Sequence, residues 1–233
     1  MAKTTKEKPE AAHQNVVEER SGFERFVEEN SQVLMIAGAV ILAGILGFLG
    51  YQQFIQKPAQ KEAQSNIFMA QDYFARDSLN LALNGDGQNM GFVDIADKYS
   101  NTKTGNLASY YAGIIYMRQG QYEVALDYLE DFSSDSKVIS AFKYGLIGDA
   151  HVQLGDHDKA VSSYEEAVEA DENSYTAPMF LKKLGLLRVQ MGEHQKALEA
   201  YERIKNDYPE SNEAGDIEKY ISQMEAQLFV ERK

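Results

Sequence analysis

Histidines and adjacent carboxylates are the residues of this chain whose types could support acid–base catalysis or metal binding. The four histidines are His13, His151, His157 and His194. Their spacing matches no metal-ligand motif such as H-E-x-x-H, and the sequence contains neither a Gly-rich phosphate loop nor a G-x-S-x-G element. Paired carboxylates such as Glu165 and Glu166 lie in helical patterns, where a solvated face is the usual outcome. We therefore predict no catalytic residue, no metal site and no cofactor, and expect that the protein is not an enzyme.

Charge and cysteine content exclude several further classes of protein. The absence of cysteine argues against a disulfide-stabilised scaffold, a thiol nucleophile, a Cys-ligated metal and a lipidated N-terminal cysteine. The net charge is −13, of which residues 1–31 contribute −2, so that residues 32–233 carry −11. An acidic domain repels nucleic-acid phosphates and anionic lipid headgroups. We expect no nucleic-acid partner, and we do not expect the domain to lie flat on a membrane surface.

The first element that the sequence predicts is a membrane-spanning helix. No Asp, Glu, Lys or Arg occurs between Glu29 and Lys57, and the stretch from Val33 to Tyr51 is almost wholly apolar or Gly. As a helix, about 20 such residues cross a hydrocarbon layer of about 30 Å. A buried core helix would usually be shorter and would rarely combine so many glycines with no polar face. A cleaved signal peptide does not fit either, because the apolar run is too long and no A-x-A-like site follows it. We predict an uncleaved signal anchor in contact with membrane lipid over residues 32–54.

Flanking charges predict the orientation of this helix. The basic residues before it are Lys3, Lys6, Lys8, Arg20 and Arg25, and those just after it are Lys57 and Lys61. Because positive charges favour the cytoplasmic side, we expect residues 1–31 in the cytoplasm and residues 55–233 on the opposite side. We expect the cytoplasmic tail to be largely disordered and to end in a short amphipathic helix over residues 18–30.

Small residues recur on one face of the predicted membrane helix. Ala39, Ala43 and Gly47 follow one another at intervals of four residues. Small side chains at this spacing allow a second helix to approach closely in lipid. Ordinary use of Ala and Gly in a membrane helix is the alternative, and it stays open. We retain these three residues as a candidate helix-packing face.

The sequence after Gln60 has helical periodicity and contains a repeat. Three segments align without gaps: GIIYMRQGQYEVALDYL, GDAHVQLGDHDKAVSSY and GLLRVQMGEHQKALEAY. They begin at Gly113, Gly148 and Gly185, so that the copies are 35 and then 37 residues apart. Each copy has Gly seven residues after its first residue, Ala five residues later, and Leu or Tyr four residues after that. Agreement at four positions in three copies predicts a repeat architecture.

This pattern resembles the tetratricopeptide repeat, which is a pair of helices of about 34 residues. In that family a small residue lets the second helix pack closely against the first, Gly ends the first helix, and Pro closes the unit. Pro209 stands at the closing position of the third copy. The resemblance implies an all-α fold, with a single N-terminal transmembrane helix followed by a tetratricopeptide-type α-solenoid and a C-terminal capping helix.

The resemblance also gives the limits of the repeats. The predicted repeats are about residues 106–136, 141–172 and 178–210, and the predicted capping helix is 211–229. A solenoid needs such a cap because its end repeats would otherwise expose apolar faces. Upstream, Glu62 to Leu83 and Phe92 to Tyr99 are predicted as a degenerate pair of helices. His157 and His194 occupy equivalent positions at the start of second helices, and we expect both to be solvated.

A binding groove is implied as well, because the first helices of tetratricopeptide units line a concave face on which peptides bind. The groove positions are Tyr110, Ile114, Met117 and Arg118 in the first unit, Phe142, Asp149 and Val152 in the second, and Met179, Lys182 and Val189 in the third. Asp149 and Leu186 stand where the family's clamp for acidic C-terminal peptides uses Asn. A groove of mixed, largely apolar character favours hydrophobic segments or apolar side chains of another protein.

The whole layout resembles a narrower family, the ancillary tetratricopeptide-containing subunit of the bacterial Sec translocon. Phe23 to Asn30 is similar to the cytoplasmic segment that this family places before its span, and Tyr99 to Ser109 is similar to its entry into the first clear repeat. The resemblance implies a non-catalytic periplasmic helper in the inner membrane. It would stand beside the SecYEG translocon and assist exported polypeptides together with a membrane-anchored periplasmic peptidyl-prolyl isomerase-type chaperone.

Tetratricopeptide folds serve many functions, and two other interpretations therefore stay open. One is a generic scaffold that organises an unrelated envelope complex. The other is a regulator that acts through its cytoplasmic tail.

Overall fold

The computed structural model describes residues 26, 27 and 29–232, and the regular structure in this part of the chain is all helical. The chain divides into two compact units between Gln53 and Phe54. The predicted disorder and amphipathic helix of the N-terminal tail fall almost entirely on residues 1–25 and 28, outside the described residues.

The first unit contains one long helix, α1, Ser31–Tyr51. Its side chains are exposed along almost the whole length, and those of Val33 and Val40 are about two-thirds exposed. Among the described residues, α1 lies in the one helical run that is long and apolar enough to cross a membrane by length and composition. A helix satisfies its backbone hydrogen bonds internally, so that an apolar surface of this kind is compatible with lipid. A π-helical turn, Gln52–Gln56, comes next in the chain.

Three helices precede the repeats in the second unit: α2, Lys57–Ala75, α3, Leu79–Asn84, and α4, Phe92–Lys98. The prediction of one helix from Glu62 to Leu83 is wrong, because the chain turns at Asp77. Asp77 has a φ of 59°, and the Ser78 amide donates to the Tyr73 carbonyl at 2.8 Å, which closes α2. Asp adopts this left-handed conformation more readily than most residues, and a hydrophobic pattern does not reveal it.

Three helix pairs and a final helix follow. The pairs are α5, Lys103–Arg118, with α6, Tyr122–Asp131; α7, Lys137–Leu154, with α8, His157–Ala170; and α9, Thr176–Gln190, with α10, His194–Asp207. A 3₁₀ turn, Glu213–Asp216, leads to α11, Ile217–Glu231. Each helix from α4 to α11 packs on the next one in sequence, and no strand occurs in the described residues. The predicted all-α, tetratricopeptide-type solenoid with a terminal helix is confirmed.

Two clusters of buried apolar side chains hold the second unit together. One lies among α2 to α5 and includes Phe92, whose ring stacks on Tyr111 at 4.7 Å between centroids. The other runs from α7 to α11 and includes Phe180, Tyr164 and Tyr201. Tyr164 and Tyr201, which occupy the last position of the repeat pattern, are 4% and 0% exposed and belong to the core. Because each cluster spans several helices, the repeats are stabilised by stacking on one another.

A glycine in the first helix of each pair lets the second helix approach closely. A β-carbon at Gly148 would lie 2.6 Å from the ring of Tyr164, and one at Gly185 would lie closer still to the ring of Tyr201. Carbon atoms do not approach so closely without a shift of the ring. The predicted need for a small residue at this position is therefore confirmed.

A second glycine ends the first helix of each pair. Gly120, Gly155 and Gly192 have φ values of 73°, 81° and 76°. This left-handed conformation is readily available to glycine and reverses the chain into the second helix. The turn role predicted from the repeat pattern is confirmed.

Two histidines are placed differently from the solvated positions expected of repeat residues. His194, at the start of α10, contacts Glu231 of α11, with 2.5 Å between Nδ1 and Oε1, and its side chain is 17% exposed. The prediction that His194 is simply solvated is wrong, because repeat spacing does not show which residues the terminal helix will cover. His157, at the start of α8, is half-buried.

His151 is a buried titratable residue in the first helix of the second pair. It is 7% exposed, and its Nδ1 has no hydrogen-bond partner in the described part of the chain, although the Asp156 carboxylate lies 3.7 Å away. Burial and the Lys159 ammonium lower the pKa of His151, against the opposing effect of Asp156 and Glu130. The folded state therefore favours the neutral imidazole.

Replacing the first glycine of a repeat by alanine should destabilise the solenoid. The loss of stability should be larger where the added methyl group meets a more rigid side chain. We expect Gly148→Ala and Gly185→Ala to lower the free energy of unfolding by about 1–2 kcal/mol, because overpacking outweighs the gain in helix propensity. Gly113→Ala should have a smaller effect, since it meets Cγ and one methyl group of Leu129, and a leucine side chain can shift more easily than a tyrosine ring. Urea denaturation of the full chain in detergent micelles, followed by circular dichroism, measures the difference.

Gly215→Ala is the matched control, because a β-carbon there meets no described neighbour within 4 Å. If Gly185→Ala were as stable as Gly215→Ala, close helix approach would not be the reason for the repeat glycine.

Acidification should destabilise the second repeat through His151. Because the pKa of His151 is lowered on folding, the unfolded chain binds the proton more strongly, and this contribution to stability is present above the ordinary pKa of 6.5 and is lost as the pH falls below it. We expect His151→Leu to lose less stability than the wild type between about pH 7 and about pH 5. Thermal unfolding at both pH values measures this, with His157→Leu as the control. An unchanged pH dependence in His151→Leu would contradict the assignment.

Candidate functional site

The ten predicted groove residues lie on the first helices of the three repeats, α5, α7 and α9. Arg118 is exposed. The nine half-buried residues are Tyr110, Ile114, Met117, Phe142, Asp149, Val152, Met179, Lys182 and Val189. Helix α7 contacts both α5 and α9, so that the three helices lie side by side and present their residues on neighbouring elements.

In the first repeat, two groove residues are held by contacts within the molecule. The ring of Tyr110 packs on Phe132 with 4.6 Å between centroids, and its burial raises the pKa of the Tyr110 hydroxyl. The Arg118 guanidinium lies 2.5 Å from the Asp77 carboxylate. Both members of this ion pair are largely exposed, so that the pair contributes little to stability and is available for exchange with a partner.

In the second repeat, Asp149 is the centre of a polar network. The hydroxyl of Tyr164 donates to Asp149 Oδ1 at 2.6 Å, and the Lys183 ammonium donates to Oδ1 and Oδ2 at 2.7 and 2.6 Å. The pKa of the Tyr164 hydroxyl is raised, mainly by burial and secondly by the hydrogen bond to Asp149. The hydroxyl therefore stays protonated and can donate. We call these three residues the Asp149 network. The Asp149 carboxylate is therefore already hydrogen-bonded to two side chains of the same chain.

The groove residues of the third repeat are one paired cation and two apolar side chains. Lys182 donates to Asp216 at 2.6 Å, and its ammonium lies 5.0 Å from the ring centroid of Tyr220. Met179 and Val189 pack against the second core cluster. Val152 and Phe142 of the second repeat pack against the same cluster, and Phe142 meets Phe180 edge to face at 6.0 Å.

Leu186 is an exposed apolar residue of α9 that the groove prediction did not include. Its side chain is 48% exposed. The signal that could have identified it was present in the sequence, because Leu186 takes the position at which the family's peptide clamp has Asn. A large exposed aliphatic residue between Lys182 and Val189 makes this part of the surface apolar.

The predicted helix-packing face lies on α1, in the first unit. Ala39, Ala43 and Gly47 are all exposed, and a β-carbon at Gly47 would meet no described neighbour within 4 Å. This face is exposed like the rest of α1, and its role in packing against another helix stays a prediction.

A cavity of about 770 Å³ lies apart from the predicted groove, at the start of α5. None of the ten predicted groove residues lines it. The side-chain amide of Asn106, in the lining of this cavity, donates to the Ser133 backbone carbonyl at 2.7 Å. Its oxygen accepts from the Ser133 backbone N–H at 2.9 Å. These bonds tie α5 to the segment after α6, so that the polar residues here have a structural role.

The geometry of the groove residues supports binding rather than reaction. The carboxylate of Asp149 and the cations Arg118 and Lys182 are each held by a neighbour of opposite charge. Apart from these ion pairs, the predicted groove residues contribute apolar surface. A surface of this kind suits contact with apolar groups of another protein.

Comparison with known proteins agrees with this fold. Two sequence models of the tetratricopeptide repeat match the chain, one over residues 107–135 and the other over residues 146–212. No curated protein sequence matches it at a significant level.

Solved structures of tetratricopeptide proteins are similar to the chain in fold. A structure of MamA, residues 41 to the end, from Desulfovibrio magneticus is 20% identical with a TM-score of 0.51, and the match covers 78% of this chain and 92% of that one. A tetratricopeptide repeat protein from Parabacteroides merdae is 17% identical with a TM-score of 0.58, covering 72% and 61%. At these identities the likeness concerns the fold alone. The chain therefore carries tetratricopeptide repeats, and its solenoid is of the kind that binds protein partners.

Proposed function

We propose that this chain is a non-catalytic, single-pass subunit of the bacterial inner membrane that assists exported proteins beside the SecYEG translocon. In this proposal α1 spans the membrane, residues 1–31 lie in the cytoplasm and the solenoid lies in the periplasm. The partners are the translocon, a membrane-anchored peptidyl-prolyl isomerase-type chaperone and exported polypeptides. The observation that carries the proposal is the presence of an exposed apolar helix and a tetratricopeptide solenoid in one chain.

Helix α1 has the length and surface of a membrane span. Its 21 residues extend for about 31 Å, close to the thickness of the hydrocarbon layer. No charged residue occurs between Glu29 and Lys57. The excess of basic residues before the helix supports a cytoplasmic N-terminus.

The charged groove residues are already paired with residues of the same chain. This pairing supports a partner that is recognised by apolar contacts. Asp149 is occupied by Tyr164 and Lys183, and a ligand that used this carboxylate would have to displace both. An unfolded exported polypeptide exposes apolar side chains along its length. The apolar groove residues therefore support an exported polypeptide as the partner.

The segment that resembles the Sec subunit family has a defined structural role. The Tyr99 hydroxyl donates to Glu62 of α2 at 2.8 Å, and Thr102 caps α5 by accepting from the Gly105 amide at 3.0 Å. The segment thereby joins the degenerate helices to the first repeat.

The proposed topology is testable because the chain contains no cysteine. Thr4→Cys places a single thiol in the N-terminal tail, and Ser222→Cys places one at an exposed position of α11. We expect a membrane-impermeant maleimide to label Ser222→Cys in intact spheroplasts and to label Thr4→Cys only after lysis. The opposite pattern would place the solenoid in the cytoplasm and would end the secretion proposal.

Site-specific photocrosslinking in intact membranes tests the partners. A photoreactive residue at Ala39 or Ala43 should form adducts with the translocon or the anchored chaperone, because small residues let another helix approach. One at Arg118 should form adducts with the chaperone or an exported chain. Ile41, which is exposed on the opposite side of α1, and Glu202, which is exposed on α10, are the matched controls. Mass spectrometry identifies the adducts.

Two results would contradict the translocon proposal. Adducts with an unrelated envelope complex would favour a generic scaffold. Partner binding that survives removal of the solenoid and is lost with residues 2–25 would favour a regulator that acts through its tail.

A further inference from the structure

The cavity of about 770 Å³ at the start of α5 has the size of a small-molecule site and lies entirely within the second unit. Its walls come from the segment before α5, the segment after α6 and the start of α7. We call it the α5 cavity. The lining residues that decide its chemistry are Gln56, Lys103, Leu107, Asp131, Asp135 and Ile139.

Hydrogen bonds within the chain hold the walls of the α5 cavity in place. The Gln56 side-chain amide donates to the Asn101 carbonyl at 3.2 Å. The Asn106 side-chain amide donates to the Ser133 carbonyl at 2.7 Å. All four residues lie in the lining, so that the cavity is formed before a ligand enters and little ordering opposes binding.

Three charged side chains line the α5 cavity, and none of them forms an ion pair with another residue in the described part of the chain. They are Lys103, Asp131 and Asp135, and all three are exposed. Ser134 and Ser136 add polar groups to the same lining. One cation, two carboxylates and hydroxyl groups together suit a ligand that carries both a negative and a positive group.

A short piece of chain ties the α5 cavity to the predicted membrane helix. Gln56, in the lining, comes five residues after Tyr51, the last residue of α1. A fully extended chain covers at most about 3.6 Å per residue, so that Gln56 lies within about 18 Å of the end of α1 in every arrangement of the two units. With α1 in a membrane, lipid headgroups are therefore present near this cavity at a high effective concentration.

The charges of the α5 cavity indicate which headgroup fits. An anionic headgroup is repelled by Asp131 and Asp135 and by the acidic solenoid as a whole. A zwitterionic headgroup has no net charge, and its two ends can pair with Lys103 and with the carboxylates. A primary ammonium donates up to three hydrogen bonds, whereas a quaternary ammonium donates none and is usually held by a cage of aromatic rings. Phe132 is the one aromatic residue in the described lining, which favours the primary ammonium.

We propose that the α5 cavity binds the phosphoethanolamine headgroup of a membrane phospholipid. Lys103 pairs with the phosphate, and Asp131 and Asp135 accept hydrogen bonds from the ammonium. Leu107 and Ile139 contact the apolar part of the lipid next to the headgroup. The bound lipid anchors the solenoid at the membrane surface. This inference rests on the proposed function only in that α1 spans a membrane.

Native mass spectrometry of the full chain in detergent micelles tests the headgroup site. The probes are phosphatidylethanolamine, phosphatidylcholine and phosphatidylglycerol with identical acyl chains, added one at a time. We expect the first phosphatidylethanolamine to bind at least about fivefold more tightly than either other lipid, which is the factor that one well-formed exposed ion pair supplies. Free O-phosphoethanolamine should bind at least about tenfold more weakly than the lipid, because it has no acyl chains to hold it in the micelle beside the cavity.

Two substitutions remove one charge each from the α5 cavity. Lys103→Ala and Asp135→Ala should each abolish the preference for phosphatidylethanolamine and leave the Tm nearly unchanged, because both side chains are exposed. Lys219→Ala and Asp127→Ala are the matched controls and should keep the preference, because both residues are exposed and lie outside the cavity lining. Lipids around α1 contact the wild type and every variant alike, so that a difference between them reports on the cavity.

The outcomes separate this inference from the proposed function. A wild type without preference, or a preference that survives in Lys103→Ala or in Asp135→Ala, would overturn the headgroup site, and translocon adducts would then still support the proposed function. Free O-phosphoethanolamine that binds as tightly as the lipid would also overturn it, since the ligand would then be the soluble compound. A preference lost in both variants, together with adducts from an unrelated complex, would support the headgroup site and overturn the translocon assignment.

Discussion

Close approach of the two helices in each repeat is the physical constraint on which the solenoid depends. It requires a position without a β-carbon, and the rings of Tyr164 and Tyr201 fill the space above Gly148 and Gly185. Because those rings are large and nearly fully buried, they fix the separation of the helices, and the next helix must pack on the surface that results. The predicted groove residues on the first helices are therefore positioned by glycines of the same helices.

Polar contacts between repeats add a second level of constraint. Asp149 on α7 and Lys183 on α9 are 34 residues apart in sequence, and their contact joins two first helices. Lys182 and Asp216 join α9 to the segment before the last helix in the same way. These pairs are partly exposed, so that each contributes modestly to stability. Together they pair charged side chains among the predicted groove residues of an acidic protein.

The sequence predicts the features of this fold that depend on local spacing and misses those that depend on how the helices stack. Gly120 and Gly155 were identifiable as turn residues because the left-handed conformation favours glycine wherever it recurs. The helix break at Asp77 was not, since its left-handed conformation interrupts no hydrophobic pattern. The contact of His194 with Glu231 was not predictable either, because it depends on where the terminal helix docks. The repeat register predicted the groove positions. The residues that bond to Asp149 lie on other helices, so that only the structure could identify them.

Internal repeats supply a comparison within a single chain. Tyr164 and Tyr201 share repeat position, glycine neighbour and burial, but the residues around them differ: Asp149 and Lys183 lie beside Tyr164, and Tyr220 lies beside Tyr201. Folding alone would favour the aspartate in both repeats, since the acceptor satisfies a buried donor. In the third repeat Leu186 supplies no acceptor, and the Tyr201 hydroxyl has no hydrogen-bond partner in the described part of the chain.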